Sequence, residues 1–361
     1  MSQPKVDNQT DFVAEPHTLV DRDGERLTVI VKATFEHAPG PPRGVDGSFR
    51  VAPKARRRPI RGADIPWGDP AKSSILYPSD LCVRKPATDV IVVAVARAPG
   101  GEPVPSFDAG VRLGRVQKVI RVTGPRLWVH EGDAMTEPRP LAELPVRWEK
   151  AFGGRDDGDP ENVVEEPANP LGRGVLASLA GLDRSAAPQL EDPSAPIQTA
   201  RSRPKPVGLG PIGRHWEPRR KHWGTYDKKW IETRAPLPPS DFDDRANQAA
   251  PPELIASPML VSGEEGALTN LSIGGGTLSF VLPRVKLELT FRVKGRDPEI
   301  VRPALDTVVL DTLVLPRESV GEGAPPGPIA SHLVVELVWR ASVRAPRSAN
   351  DATIRVEEVR S

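Results

Sequence analysis

The sequence has a single cysteine, Cys82, in 361 residues. No intrachain disulfide can form and no thiolate metal cluster can be assembled. A lone thiol suits a reducing compartment. No apolar run approaches the roughly 20 residues needed to span a bilayer as a helix. The opening residues 1–10, MSQPKVDNQT, lack the apolar core of a secretory signal. An excess of charge of either sign is also lacking, because 49 Lys and Arg are balanced by 48 Asp and Glu, for a formal net charge of +1. Such a chain carries no overall field toward nucleic acid or an anionic membrane. A cytoplasmic protein with neither nucleic acid nor a membrane as partner is expected.

Long amphipathic helical patterns are missing as well. The 42 prolines and 31 glycines argue against a helical bundle, since proline removes a hydrogen-bond donor and clashes with the preceding turn. What is present is strand pattern, in two blocks. The first runs through 27–35, 89–96, 111–122 and 126–130. Leu27, Val29, Val31, Ala33 and Phe35 alternate with other residues, and the near-continuous apolar run of 89–96 suits a strand buried on both faces. The second block has the clearest alternation: Val285, Leu287, Leu289, Phe291 and Val293 on one side, Lys286, Glu288, Thr290, Arg292 and Lys294 on the other. Leu333, Val335, Leu337, Trp339, Ala341 and Val343 repeat it. Period two with one polar face predicts antiparallel strands packed on a core. The fold class expected is mainly β, sandwich or open-barrel like, with strand blocks before and after a long ordered irregular crossover holding at most short helices. The regions are 1–150, β-rich; 151–257, the loop-rich crossover; and 258–361, β-rich and able to form one unit with the first. Val29–Phe35 and Val334–Arg340 also look alike.

Charge is uneven within the crossover. Residues 155–193 hold nine acids against three arginines, and residues 201–234 hold ten bases against three acids. The two pieces could neutralise each other across a shared surface. Short helices are expected at 227–234 and 241–248. The densest signal is residues 206–227, PVGLGPIGRHWEPRRKHWGTYD, which follow neither apolar period. Ordered irregular segments of this kind often carry function.

Reacting constellations are hard to assemble. His215 and His222 are seven apart with Pro218 between them, which is not the spacing of a helical metal site. His17, His37, His130 and His332 stand singly. There is no G-x-S-x-G, and Cys82 has no local histidine. Gly274-Gly275-Gly276 is followed by no Lys-Ser/Thr and reads as a hairpin turn. No metal, no cofactor and no catalytic residues are expected. An enzyme, a hydrolase or a sugar-active one, would have to use His215, Glu217 and Asp227. The stretch mixing Arg214, His215, Trp216, Arg219, Arg220, Trp223, Tyr226 and Trp230 fits three roles by composition: cation–π packing within a loop, a protein-binding hot spot, or stacking on nucleic acid.

Several strings together resemble the bacterial family named domain of unknown function 2169. They are residues 148–154 (WEKAFGG), 169–174 (NPLGRG), 208–217 with Arg219-Arg220-Lys221, 224–227 with Trp230, 234–238, 241–243, 249–252, 305–307 and 337–340, all in order. Ala246 and Asn247 stand where the family usually has aromatics. The resemblance implies a non-enzymatic adaptor or chaperone of type VI secretion. Such a protein would bind a secreted effector, or the PAAR-type spike-tip protein that carries it, and assist its loading. The eight residues from Arg214 to Trp230 are the partner-binding candidates.

Overall fold

The computed structural model describes residues 4–37, 49–129, 134–177, 185–313 and 333–359. His130, Asp183, Arg184 and His332 lie outside these residues. Strand outweighs helix, 42% against 9%, so the fold is mainly β as the two period-two regions predict.

The principal sheet is mixed and has seven strands. Its order is Ile255–Ala256, Thr88–Val93, Leu305–Asp311, Val334–Arg344, Gly24–His37 and Val13–Asp21, with Phe49–Val51 paired to the end of Gly24–His37. Thr88–Val93 and Leu305–Asp311 run parallel, and every other pair in this sheet is antiparallel. Strands from both ends of the chain are therefore interleaved in one sheet. The two look-alike segments are neighbours: Val335 faces Phe35 and Arg340 faces Ile30. Two strands that share both covering layers need the same alternation, which accounts for the likeness. Thr88–Val93 is buried throughout, as its apolar run predicts.

A second sheet is antiparallel, in the order Leu190–Glu191, Val116–Thr123, Ser106–Leu113, Glu265–Thr269 and Thr277–Val281. Gly274, Gly275 and Gly276, all at positive φ, turn the chain between its last two strands, as the hairpin reading predicts. A third sheet joins Lys5–Asn8, Ala352–Glu358, Leu287–Val293 and Glu299–Val301. Val285, Leu287, Leu289 and Phe291 are buried while Lys286 and Arg292 are exposed, as the register predicts, but of the other residues expected outside Glu288 is half-buried and Thr290 is buried between neighbouring strands. One continuous apolar cluster includes Val31, Phe35 and Trp339 of the first sheet, Val111 and Ile120 of the second, and Leu289 and Ile354 of the third.

The principal sheet departs from the simple alternation in one respect. Its apolar face packs on that cluster, but its polar face is buried too. Lys32, Arg58, Arg61, Lys85 and Arg340 meet Asp80, Asp89, Asp306, Asp311 and Glu336 there, each less than 9% exposed. The Lys32 Nζ lies 2.7 Å from Asp80 and 2.9 Å from Glu336. Arg58 reaches Glu336 at 2.6 Å and Asp311 at 2.7 Å, and Arg61 also holds Glu336. The Tyr77 hydroxyl donates to Asp311, Arg340 pairs with Asp306, and Lys85 pairs with Asp89 at 2.7 Å. Six of these ten charged groups come from strands of the sheet and four, Arg58, Arg61, Asp80 and Lys85, from segment 52–87, whose only regular elements are a 3-10 turn and two strands of two and three residues. The period-two rule expects water on the polar face. Here a layer with little regular structure covers it and brings the counter-charges that burial requires. Burial alone would raise the Glu336 carboxyl, but Arg61, Lys32 and Arg58 outweigh it and hold the group well below the ordinary carboxylate range.

Candidate functional site

The crossover supplies the rest of that cover. Val92 N–H donates to Leu209 O at 3.1 Å, Ala249 N–H to the Asp89 carboxylate at 2.8 Å, and Ile212 N–H to Ala249 O at 2.7 Å. Residues 207–213 are buried as a result. Glycines let the backbone come this close. A Cβ on Gly208 would lie 2.9 Å from the Trp148 ring. Trp148 is itself fixed, because its Nε1 donates to Pro211 O at 2.9 Å and its ring meets Trp216 edge-on at 5.9 Å. Trp148, Ile212 and Trp216 form a small apolar cluster of their own, with Leu171 against it.

The neighbouring strings lock onto the same node. Asn169 is fully buried and donates to Trp148 O at 2.9 Å and to Phe152 O at 2.8 Å. Phe152–Gly153 pairs in parallel with Arg173–Gly174, and Arg173 Nε donates to Glu149 O at 2.9 Å. Glu149 in turn accepts from the Ser74 N–H and hydroxyl, tying the node to the cover segment 52–87. The resemblance-bearing strings at 148–154, 169–174 and 208–217 are thus one structural knot.

On this knot sits the Arg–Trp segment. Its eight candidates divide by burial. Trp216 and Arg219 are turned inward, at 9% and 6% exposure. The Arg219 guanidinium donates to Ala246 O at 2.8 Å and Ile212 O at 2.9 Å, and burial lowers its pKa. Arg214, Trp223 and Trp230 are half-buried. Arg214 pairs with Asp64 at 3.2 Å and lies over the Trp223 ring at 5.8 Å. Trp223 also donates to Arg214 O at 3.0 Å and packs on Phe242 at 5.8 Å. His215, Arg220 and Tyr226 are exposed. Ala246 is fully buried, and its carbonyl accepts from Arg219.

The expected short helices both form. Asp227 caps the helix Lys228–Thr233 by accepting from Trp230 N–H at 2.8 Å, and Asp243 caps the 3-10 turn Asp244–Asn247. Hydrogen bonds from Arg245 hold the Asp243 carboxyl down at about 2. The helix adds a residue that the sequence reading did not single out, Ile231, which is 63% exposed. A β-branched apolar residue on a short charged helix was the available signal.

His215, Glu217 and Asp227 are not joined by any hydrogen bond or ion pair among the described residues. Asp227 is occupied as a cap, and Glu217 donates its N–H to Pro167 O at 2.8 Å. No cluster of three or more His, Cys, Asp or Glu suited to a metal is found among the described residues. Cys82 is half-buried, and burial pushes its thiol pKa up. No helix among them is long and apolar enough to cross a membrane.

Comparisons with curated proteins and with solved structures found no match. A family model described as an uncharacterized protein conserved in bacteria matches residues 22–316, which takes in the whole second sheet and the knot, and part of the other two sheets and of the ionic layer. The chain belongs to that family, domain of unknown function 2169.

Proposed function

We propose that this protein is a non-enzymatic adaptor or chaperone of type VI secretion that binds a secreted effector, or the PAAR-type spike-tip protein that carries it, and assists its loading. The observation that carries this reading is the mounting of the Arg–Trp segment. Buried Trp216 and Arg219 pin it, while Arg220, Tyr226 and the half-buried Trp223 and Trp230 remain available on its outer side. Aromatic and arginine side chains dominate the energetics of protein interfaces. Holding them in place beforehand lowers the ordering cost of association.

The test is co-expression of the tagged chain with each protein encoded by the genes neighbouring its own, PAAR-type spike-tip and toxin proteins being expected among them. One of them is expected to co-purify, and its secretion is expected to fail in a strain lacking this protein. Retention of none, with secretion unchanged, overturns the reading. So does a hydrolytic or metal-dependent activity that is lost on His215→Ala.

A further inference from the structure

The outer side of the segment has its own chemistry. Tyr226, just before the helix cap, is 52% exposed, and Ile231, in the helix five residues on, is 63% exposed. The Tyr226 ring packs edge-on against Trp230 at 4.7 Å, and Trp230 Nε1 is held by Leu237 O at 2.8 Å. This ledge is firmly based, since Trp223 rests on Phe242 and the Thr225 N–H and hydroxyl both bond Asp241. Around it in the chain are four exposed cations, Arg220, Lys221, Lys228 and Lys229. Lys228 makes only a 3.7 Å exposed pair with Glu232, and the other three have no ion-pair partner among the described residues.

We infer that this ledge docks an acidic segment of a partner protein, with an apolar side chain seated on Tyr226 and Ile231 and carboxylates facing the lysines. Charge complementarity selects the occupant: unpaired cations beside an apolar anchor match carboxylates beside an apolar side chain. Nucleic acid fits less well. Tyr226 and Trp230 pack on each other instead of offering parallel platforms, and an aliphatic Ile231 gives a base nothing to stack on. The inference rests on the adaptor reading for the source of the segment but not for its chemistry.

The full-length chain is titrated by fluorescence anisotropy with three labelled probes: a synthetic Asp/Glu-rich peptide with two central leucines, the same peptide with Asn/Gln for the acids, and oligothymidylate. The acidic peptide is expected to bind at least roughly tenfold more tightly than either of the others, a difference of ~1.4 kcal/mol. Lys228→Glu/Lys229→Glu and, separately, Ile231→Ser are expected to weaken it by a similar factor with unchanged circular dichroism and melting. Tighter binding of oligothymidylate, equal binding of both peptides, or wild-type affinity in the charge-reversed variant overturns the inference. Co-expression separates the two readings. If the charge-reversed variant still captures the neighbouring effector fully, the ledge fails and the adaptor stands. If the acidic peptide binds as expected but wild type captures no neighbour, the adaptor fails and the ledge stands.

Discussion

Replacing Glu336 by Gln tests whether the polar face of the principal sheet is truly closed. The side chain is fully buried; one oxygen accepts from Arg58 at 2.6 Å and from Arg61, and the other lies 2.9 Å from Lys32. Glutamine keeps the volume and removes the charge. It also turns an amide donor toward cations that can only donate. A charge pair at about 4 Å attracts by about 4 kcal/mol at an effective dielectric of about 20. Losing three such attractions outweighs the several kcal/mol of carboxylate desolvation that neutralisation returns, and breaking a buried pair costs about 3–5 kcal/mol net. Native stabilities of about 5–15 kcal/mol make that a severe defect. Urea unfolding followed by tryptophan fluorescence measures it, with buried Trp128, Trp148, Trp216 and Trp339 as reporters. Asp108→Asn is the control. Its pair with Arg121 is as well formed, at 2.8 and 3.1 Å, but lies on the exposed face of the second sheet; its loss should cost less than about 1 kcal/mol. If Glu336→Gln costs no more than Asp108→Asn, water reaches the polar face and the irregular layer is not a seal.

Three further outcomes are expected. Phe291→Ala, at 1% exposure in the third sheet, should cost about 3–5 kcal/mol in the same assay; a neutral result refutes the register. Gly208→Ala should cost about 1–3 kcal/mol and perturb the near-ultraviolet dichroism of Trp148, because the new methyl meets a ring that its hydrogen bonds hold in place; an unchanged spectrum refutes the close approach. Stability should fall with acid as the pH drops below the ordinary carboxylate range. Glu336 and Asp80 both have folded values lowered by their cations against the pull of burial, so their contribution is complete above the unfolded values and is lost as the pH falls through the folded ones. Urea midpoints that rise on acidification would contradict this.

Strands were legible in the sequence where a long, regular alternation reflects one apolar and one watery layer, while shorter alternations with the same environment, such as that of Ala352–Glu358, were not singled out. Leu287–Val293 is such a strand, and its alternation gives both its element and its facing. Val334–Arg344 has the same alternation but a different environment. Glu336 and Arg340 look like solvent-facing residues, and only the partners that reach them from 52–87 reveal that they are buried. Those partners leave no periodic trace. Arg58, Arg61 and Asp80 sit in loops, where tertiary contacts and not a repeat place each residue. The same holds in the crossover: composition marked residues 206–230 as unusual, while the division into inward Trp216 and Arg219 and outward Arg220 and Tyr226 depends on Trp148 and Ala246, distant in sequence.

That division bears on where specificity can reside. The strings that carry the family resemblance at 148–154, 169–174 and 208–217 are largely accounted for by folding: glycine where backbone meets a ring, Asn169 bridging two carbonyls, tryptophans stacked edge to face. A residue consumed in this way is the same whatever the partner is. Partner choice has to come from side chains the knot does not use, and along this segment those are His215, Arg220, Lys221, Tyr226, Lys228, Lys229 and Ile231. Substitutions at the frame and at this outer set should therefore separate. Trp216→Ala should lower stability and partner capture together, because it removes a side chain that is 9% exposed and stacked on Trp148. Tyr226→Ala should lower capture at nearly unchanged stability, since the ring is half in water and only its edge contact with Trp230 is lost. Equal loss of stability in both would mean that the outer set is also part of the frame and that the binding surface lies elsewhere on the molecule.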